Sequence, residues 1–93
     1  MFMDDLYYKI LNYAKEKKSN PDLKARQEGY DFSVGDLINE LGPIPKDSIV
    51  SKLDDLRDNG SLELLDFFGG DRGLGGPSFG KITSQGINEI EDR

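Results

Sequence analysis

Apolar positions along this chain recur at two periods, and the changes between them mark out its elements. From about Met3 to Lys18 the residues Leu6, Ile10, Tyr13 and Ala14 follow the spacing of one helix face, flanked by Met3 and Tyr7. Lys15, Lys17 and Lys18 fall in the last turn, where cations suit the negative end of the helix dipole. Tyr8 and Leu11 are placed off that stripe. They read either as two part-exposed residues, which is ordinary on a surface, or as a second apolar patch through which two copies pair as a homodimer.

Between Ser19 and Asp31 the long period is lost. Asn20-Pro21 reads as an N-cap with proline at the first helical position, Gly29 can end that short helix, and Tyr30-Asp31-Phe32 reads as a short strand. Helical spacing returns at Ser33-Val34-Gly35-Asp36, a capping box with Asp in place of the more usual Glu. The helix it opens runs to about Leu41 and buries Val34, Leu37, Ile38 and Leu41. Gly42 ends it and Pro43 prevents its continuation. Gly42-Pro43-Ile44-Pro45 is then a short, stiff turn in which Ile44 can pack as a staple.

Lys46 to Asn59 predicts the next helix, with Ile49, Val50, Leu53 and Leu56 turned inward. Gly60 supplies the positive φ that stops it. Leu62, Leu64, Phe67 and Phe68 read as a strand, and Phe79 and Ile82 as its return. Six of the eleven glycines fall between Gly69 and Gly80, which predicts a mobile hairpin tip. Thr83 or Ser84 then caps a last helix that turns Ile87 and Ile90 inward.

Composition narrows the chemistry. The 93 residues predict a single domain over 1–93, with 35% hydrophobic and 32% charged residues, a polar but foldable balance. Without cysteine or histidine, disulfides, thiolate metal sites and imidazole acid–base chemistry are excluded. Carboxylates could hold a hard cation, but the loop spacing this needs is missing. No cofactor or metal is expected. No apolar run approaches the roughly 20 residues of a membrane span, and the start Met1-Phe2-Met3-Asp4-Asp5 is acidic, unlike a signal peptide. A cytoplasmic protein is the expectation.

The order helix, turn, helix, hairpin, helix resembles the winged helix-turn-helix superfamily. Two stretches carry the likeness. Ile49-Val50-x-x-Leu53-x-x-Leu56-x-x-Asn59-Gly60 with Ser61-Leu62-Glu63-Leu64 looks like that family's recognition helix entering its first wing strand. Lys81-Ile82-Thr83-Ser84-Gln85-Gly86-Ile87-x-x-Ile90-Glu91 is similar to the turn from wing strand to closing helix. The likeness covers about two-thirds of the chain, from Ser33 onward; the 19–31 insert is longer than the family's usual connection. It implies an α+β fold: a three-helix core, a two- or three-stranded antiparallel wing and a C-terminal helix. It also implies a transcriptional regulator whose helix 46–59 lies in the major groove of double-stranded DNA, while the 69–80 wing touches phosphates or the minor groove.

Charge tests that implication. A helix turns about 100° per residue, so opposite the Ile49–Leu53–Leu56 stripe lie Asp47, Ser51, Asp54, Asp55 and Asp58. One aspartate could accept from cytosine, but four cannot all do so. The DNA-contact candidates are therefore Lys46, Ser48, Ser51 and Lys52 in the first half of the helix, with Arg72 at the wing tip. The alternative is a protein-interaction module in which Asp47, Asp54, Asp55 and Asp58 meet a basic protein partner, in keeping with a net charge of −6. Lys15 to Arg26, with five basic and two acidic residues, is the one basic stretch; it reads as solvated lysines or as a phosphate contact. Gly75 to Lys81 matches the first seven positions of a phosphate-binding loop, but Ile82 stands where the magnesium-binding Ser or Thr belongs. The exposed carboxylate pairs lack the burial that acid–base work needs, and no serine has a histidine to activate it, so an enzyme is not expected.

Overall fold

A computed structural model describes residues 5–65 and 78–91; Met3, Phe67, Phe68, Arg72 and the glycines from Gly69 to Gly76 lie outside them. The described chain is an α+β arrangement in the order α1 (Asp5–Ser19), α2 (Leu23–Gln27), β1 (Phe32–Ser33), α3 (Val34–Glu40), α4 (Lys46–Asp58), β2 (Leu62–Leu65), β3 (Phe79–Ile82) and α5 (Ser84–Glu91). β3 is the middle strand of a three-stranded antiparallel sheet, with β1 on one side and β2 on the other. Gly80 sits opposite both Phe32 and Leu64 in that register. A Cβ at position 80 would lie 2.6 Å from the Phe32 ring and 2.8 Å from Leu64 Cδ2, so only glycine lets the buried Phe32 lie flat across the strand.

α1 packs against α4, α5, β1 and β3. This corrects the placement of Leu11, which is fully buried with Ile10 and Ala14 rather than standing on a dimer surface. Leu11 is four residues after Tyr7 and three before Ala14, so it shares their arc. A helix with neighbours on several sides buries a wider arc than one stripe. Tyr8 alone is not an apolar patch, and the pairing of copies through Tyr8 and Leu11 has no surface to use. Val34 and Leu37 of α3, the Ile49, Val50, Leu53 and Leu56 stripe of α4, Leu62, Ile82 and Ile90 complete the core. The inward face expected of α4 is observed, as is burial of Leu62, Phe79 and Ile82; Leu64 is half-buried, and Phe67 and Phe68 lie outside the described residues.

Three local expectations are corrected. Asn20 does not cap α2: its N–H bonds back to Glu16 and Lys17 carbonyls, both at 3.2 Å, and so closes α1. The N-cap of α2 is Asp22, held by Lys17 Nζ at 3.0 Å and by donation of its own N–H to Asp31 O. The capping box at Ser33 is not formed either. Ser33 has the extended backbone of a cap but no side-chain bond, and the Val34 N–H is taken by Ser78 O at 2.9 Å. Sheet pairing thus satisfies the first free N–H of α3, which an N-cap hydroxyl does not reach. Finally, the strand at 30–32 is displaced to Phe32–Ser33, because the Tyr30 N–H closes α2 onto Ala25 O at 2.8 Å. Gly60 adopts the positive φ expected, at 87°, and Gly29, just past the end of α2, has φ of 82°.

Candidate functional site

α4 is positioned from both ends. Pro45 forms its N-cap, with a carbonyl that accepts from Ser48 N (3.0 Å) and Ile49 N (3.2 Å). At the other end Asn59 is the C-cap, and Gly60 turns the chain into β2. The buried stripe then fixes which residues face out, except at Lys46, which shares the angle of the stripe and is exposed as the first residue of the helix. Lys46, Asp47, Ser48 and Ser51 are exposed in the first two turns; Asp55 and Asp58 are exposed further on. A shallow, open depression runs between α1 and α4, lined by Leu6, Asp47, Ser48, Ser51 and Lys52. The structure therefore brings three of the DNA-contact candidates, Ser48, Ser51 and Lys52, into one surface, with Lys46 just before them on the same helix. It puts Asp47 into that surface as well. Arg72 lies outside the described residues.

The cations of α4 differ in availability. Lys52 is half-buried, with its ammonium 5.9 Å from the centre of the Tyr7 ring, within reach of a cation–π attraction. Arg57 bonds Asp54 one turn away and has Nε 3.8 Å from Asp58. Lys46 carries no ion pair among the described residues. Of the four aspartates, Asp54 and Asp58 are thus partly compensated within the helix, while Asp47 and Asp55 carry no ion pair among the described residues.

Behind the C-terminal end of α4 is a polar clamp that single-residue reasoning does not find. The Asn59 amide donates to the Tyr7 hydroxyl. Asn59 Oδ1 accepts from the Ser61 N–H at 3.0 Å and from its hydroxyl at 2.6 Å, and Ser61 Oγ also meets Glu89 Oε2 at 2.5 Å. Gln85 Nε2 donates to Asn59 O at 2.5 Å. Thr83 donates its hydroxyl to Gly60 O (2.6 Å) and its N–H to Ser61 O (3.1 Å), and its Oγ1 caps α5 by accepting from Gly86 N at 3.1 Å. Thr83, not Ser84, is therefore the cap. Partial burial and the nearby Glu89 carboxylate raise the Tyr7 phenol above its ordinary value, with Asn59 acting in the opposite direction. The signals that could have revealed the clamp are Asn59-Gly60-Ser61 and Thr83-Ser84-Gln85-Gly86, but their meeting is set by the β2–β3 pairing.

Among the described residues no group of three or more acidic side chains is placed to hold a metal ion, and no helix is long and apolar enough to cross a membrane. The exposed face of α4 can offer hydroxyls, one ammonium and carboxylates to a partner. No family model, curated protein or solved structure matches the chain.

Proposed function

We propose that this chain is a winged-helix protein that binds duplex DNA through the first two turns of α4. The observation that carries the reading is the exposure of Lys46, Ser48 and Ser51 beside an open depression, on a helix reached from α3 through the stiff 42–45 turn. Helix-turn-helix proteins read bases mostly with the N-terminal part of the second helix. In this reading the antiparallel β2–β3 pair serves as the wing, and Arg72, between those strands in sequence, is the further phosphate contact. Asp55 and Asp58, toward the far end, then face away from the duplex, and Arg57 offsets Asp54.

The test is fluorescence anisotropy on a labelled random duplex. Binding should weaken between about 50 and 200 mM salt as phosphate counterions are released. Lys46→Glu should weaken it further and reduce the salt slope by about one. Affinity that is indifferent to salt and to Lys46 removes the duplex reading.

A second reading has its own observation. Lys52 and Arg57 are turned onto Tyr7 and Asp54, which leaves the carboxylates as the dominant outward charge of α4. In this reading the same fold is an interaction module that docks a basic protein. Capture of that protein should then be lost in an Asp54→Lys, Asp58→Lys double variant, and unchanged capture excludes this face.

A further inference from the structure

α2 presents a surface that the α4 reading leaves unused. The buried Ala25 fixes which side of this short helix faces the body. Leu23, two residues earlier and so about 200° round the helix, points outward and is 72% exposed, the large apolar side chain left in water among the described residues. Of the five cations from Lys15 to Arg26, two are engaged: Lys15 with Glu91 at 3.2 Å and Lys17 with Asp22 at 3.0 Å. Lys18, Lys24 and Arg26 are exposed and carry no ion pair among the described residues. An apolar side chain flanked on its own helix by Lys24 and Arg26 suits an acidic partner with a place for one aliphatic group.

We propose that this surface docks on the acidic face of α4 in a second copy of the chain, so that copies associate head to tail. The chain carries the complement itself: Asp47 and Asp55 are exposed without ion pairs among the described residues, and exposed Asp58 has only a 3.8 Å approach from Arg57. The two surfaces lie at opposite ends of α1, since Tyr7 meets α4 through Asn59 while Lys17 meets Asp22 at the start of α2. Ten residues of helix separate those contacts, roughly 15 Å, so the complement is met by another molecule. Such a contact uses different patches on the two copies and builds open chains or rings rather than a two-fold dimer. The net charge of −6 opposes approach at long range. At physiological ionic strength the Debye length is about 8 Å, which screens that repulsion more than it screens ion pairs in contact. The patch is small, so the association belongs to the weak, transient class. It does not rest on duplex binding, although it would cover carboxylates that a duplex must avoid.

Sedimentation velocity on the full chain without DNA tests this. At about 0.15 M salt the weight-average mass should rise above that of the monomer as concentration approaches about 1 mM, the range of a weak contact. A Lys24→Glu, Arg26→Glu variant and an Asp55→Lys, Asp58→Lys variant should each stay monomeric, because each presents like charges at the contact. Their equimolar mixture should associate again, because each then supplies the face the other lacks. Leu23→Asp should weaken association by roughly tenfold or more. Circular dichroism checks that each variant is folded, which surface changes should preserve. A wild-type chain that stays monomeric throughout, variants that associate like wild type, or a mixture no heavier than its components would each overturn the proposal, whatever the duplex measurements show.

Discussion

Gly86→Ala sets two effects of known size against each other. In an ordinary helix, alanine for glycine is favourable by about 0.5–1 kcal/mol, because glycine loses more backbone freedom on folding. Gly86 is buried in α5 and packs its backbone directly on the β2 turn. A Cβ there would collide with the Ser61 carbonyl oxygen and lie 2.7 Å from Ile82 Cγ1 and 3.3 Å from its Cδ1. The Ser61 carbonyl cannot yield freely, since it accepts from the Thr83 N–H at 3.1 Å while the Thr83 hydroxyl, which donates to the neighbouring Gly60 carbonyl at 2.6 Å, lies 3.1 Å away. Overpacking of this kind costs about 1–3 kcal/mol, and weakening the hydrogen bond from the Thr83 N–H adds about 1 kcal/mol. After subtracting the propensity gain, the net loss is about 2 kcal/mol, or roughly 10 °C in melting temperature for a domain of this size. Gly35→Ala is the matched control. Gly35 is exposed in α3, and its added Cβ would meet only Ser33 Oγ at an ordinary 3.6 Å. That variant should gain about 0.5 kcal/mol. Thermal and urea denaturation followed by far-UV circular dichroism measures both. A Gly86→Ala protein as stable as wild type would show that α5 does not seat on the Ser61 carbonyl as described.

Gly60→Ala should lose about 1–2 kcal/mol in urea unfolding, because φ of 87° is strained for any side chain and the new Cβ would lie 3.1 Å from Gln85 Oε1; an unchanged midpoint would contradict the turn geometry. Phe32→Ala should destabilise by about 3–5 kcal/mol, because the ring is fully buried and meets Tyr13 edge-on at a centroid distance of 5.7 Å; loss of cooperative melting is the expected reading, and a melting temperature within a few degrees of wild type argues against this core. Burial, reinforced by the charges of Asp22, Asp36 and Glu40, pushes the Tyr13 phenol up to about 12. The folded state then holds this proton more tightly than the unfolded state, so the stability it supplies is present below the ordinary phenol value of 10.0 and is lost as pH rises from there towards 12. Ultraviolet titration of wild type against Tyr13→Phe should assign the last tyrosine to ionise to Tyr13, and a missing early step in the variant would refute it.

α4 was legible because its signals are local. Its stripe of Ile49, Val50, Leu53 and Leu56 lies between a proline turn and Asn59-Gly60, and each of those acts within a turn or so of helix. The outward positions of Ser48, Ser51 and the aspartates follow from the same periodicity, whereas Lys46 falls beside the buried stripe by that spacing and is exposed because it is the first residue of the helix. What periodicity cannot give is where a long side chain goes after it leaves the helix. Lys52 folds back on Tyr7, more than forty positions earlier in the chain, and Arg57 turns along its own helix to Asp54. Leu11 was misplaced for a related reason, since its burial depends on how many elements flank α1. Asn20 is a good cap by type, but Asp22 takes its place; Ser33 keeps the cap position without a side-chain bond, and the Val34 N–H beside it goes to the Ser78 carbonyl across the sheet.

The two stretches that carry the family likeness are the two that touch. Asn59-Gly60-Ser61 and Thr83 to Gly86 are joined by Thr83, Gln85 and the close seating of Gly86 on Ser61. Each residue type in them serves the fold directly: Gly60 takes a positive φ, Thr83 caps α5, and Gly86 leaves room by having no side chain. Such motifs therefore argue for an architecture that brings the end of α4 against the start of α5, and they would be needed whether or not any nucleic acid were bound. Function has to rest on groups that the fold does not itself use. On α4 these are Lys46, Ser48 and Ser51 at one end and Asp47 and Asp55 along the outer face, and on α2 they are Leu23, Lys24 and Arg26. The salt dependence of duplex binding and the mass of the charge-swapped mixture address these groups separately, so one result can fail while the other stands.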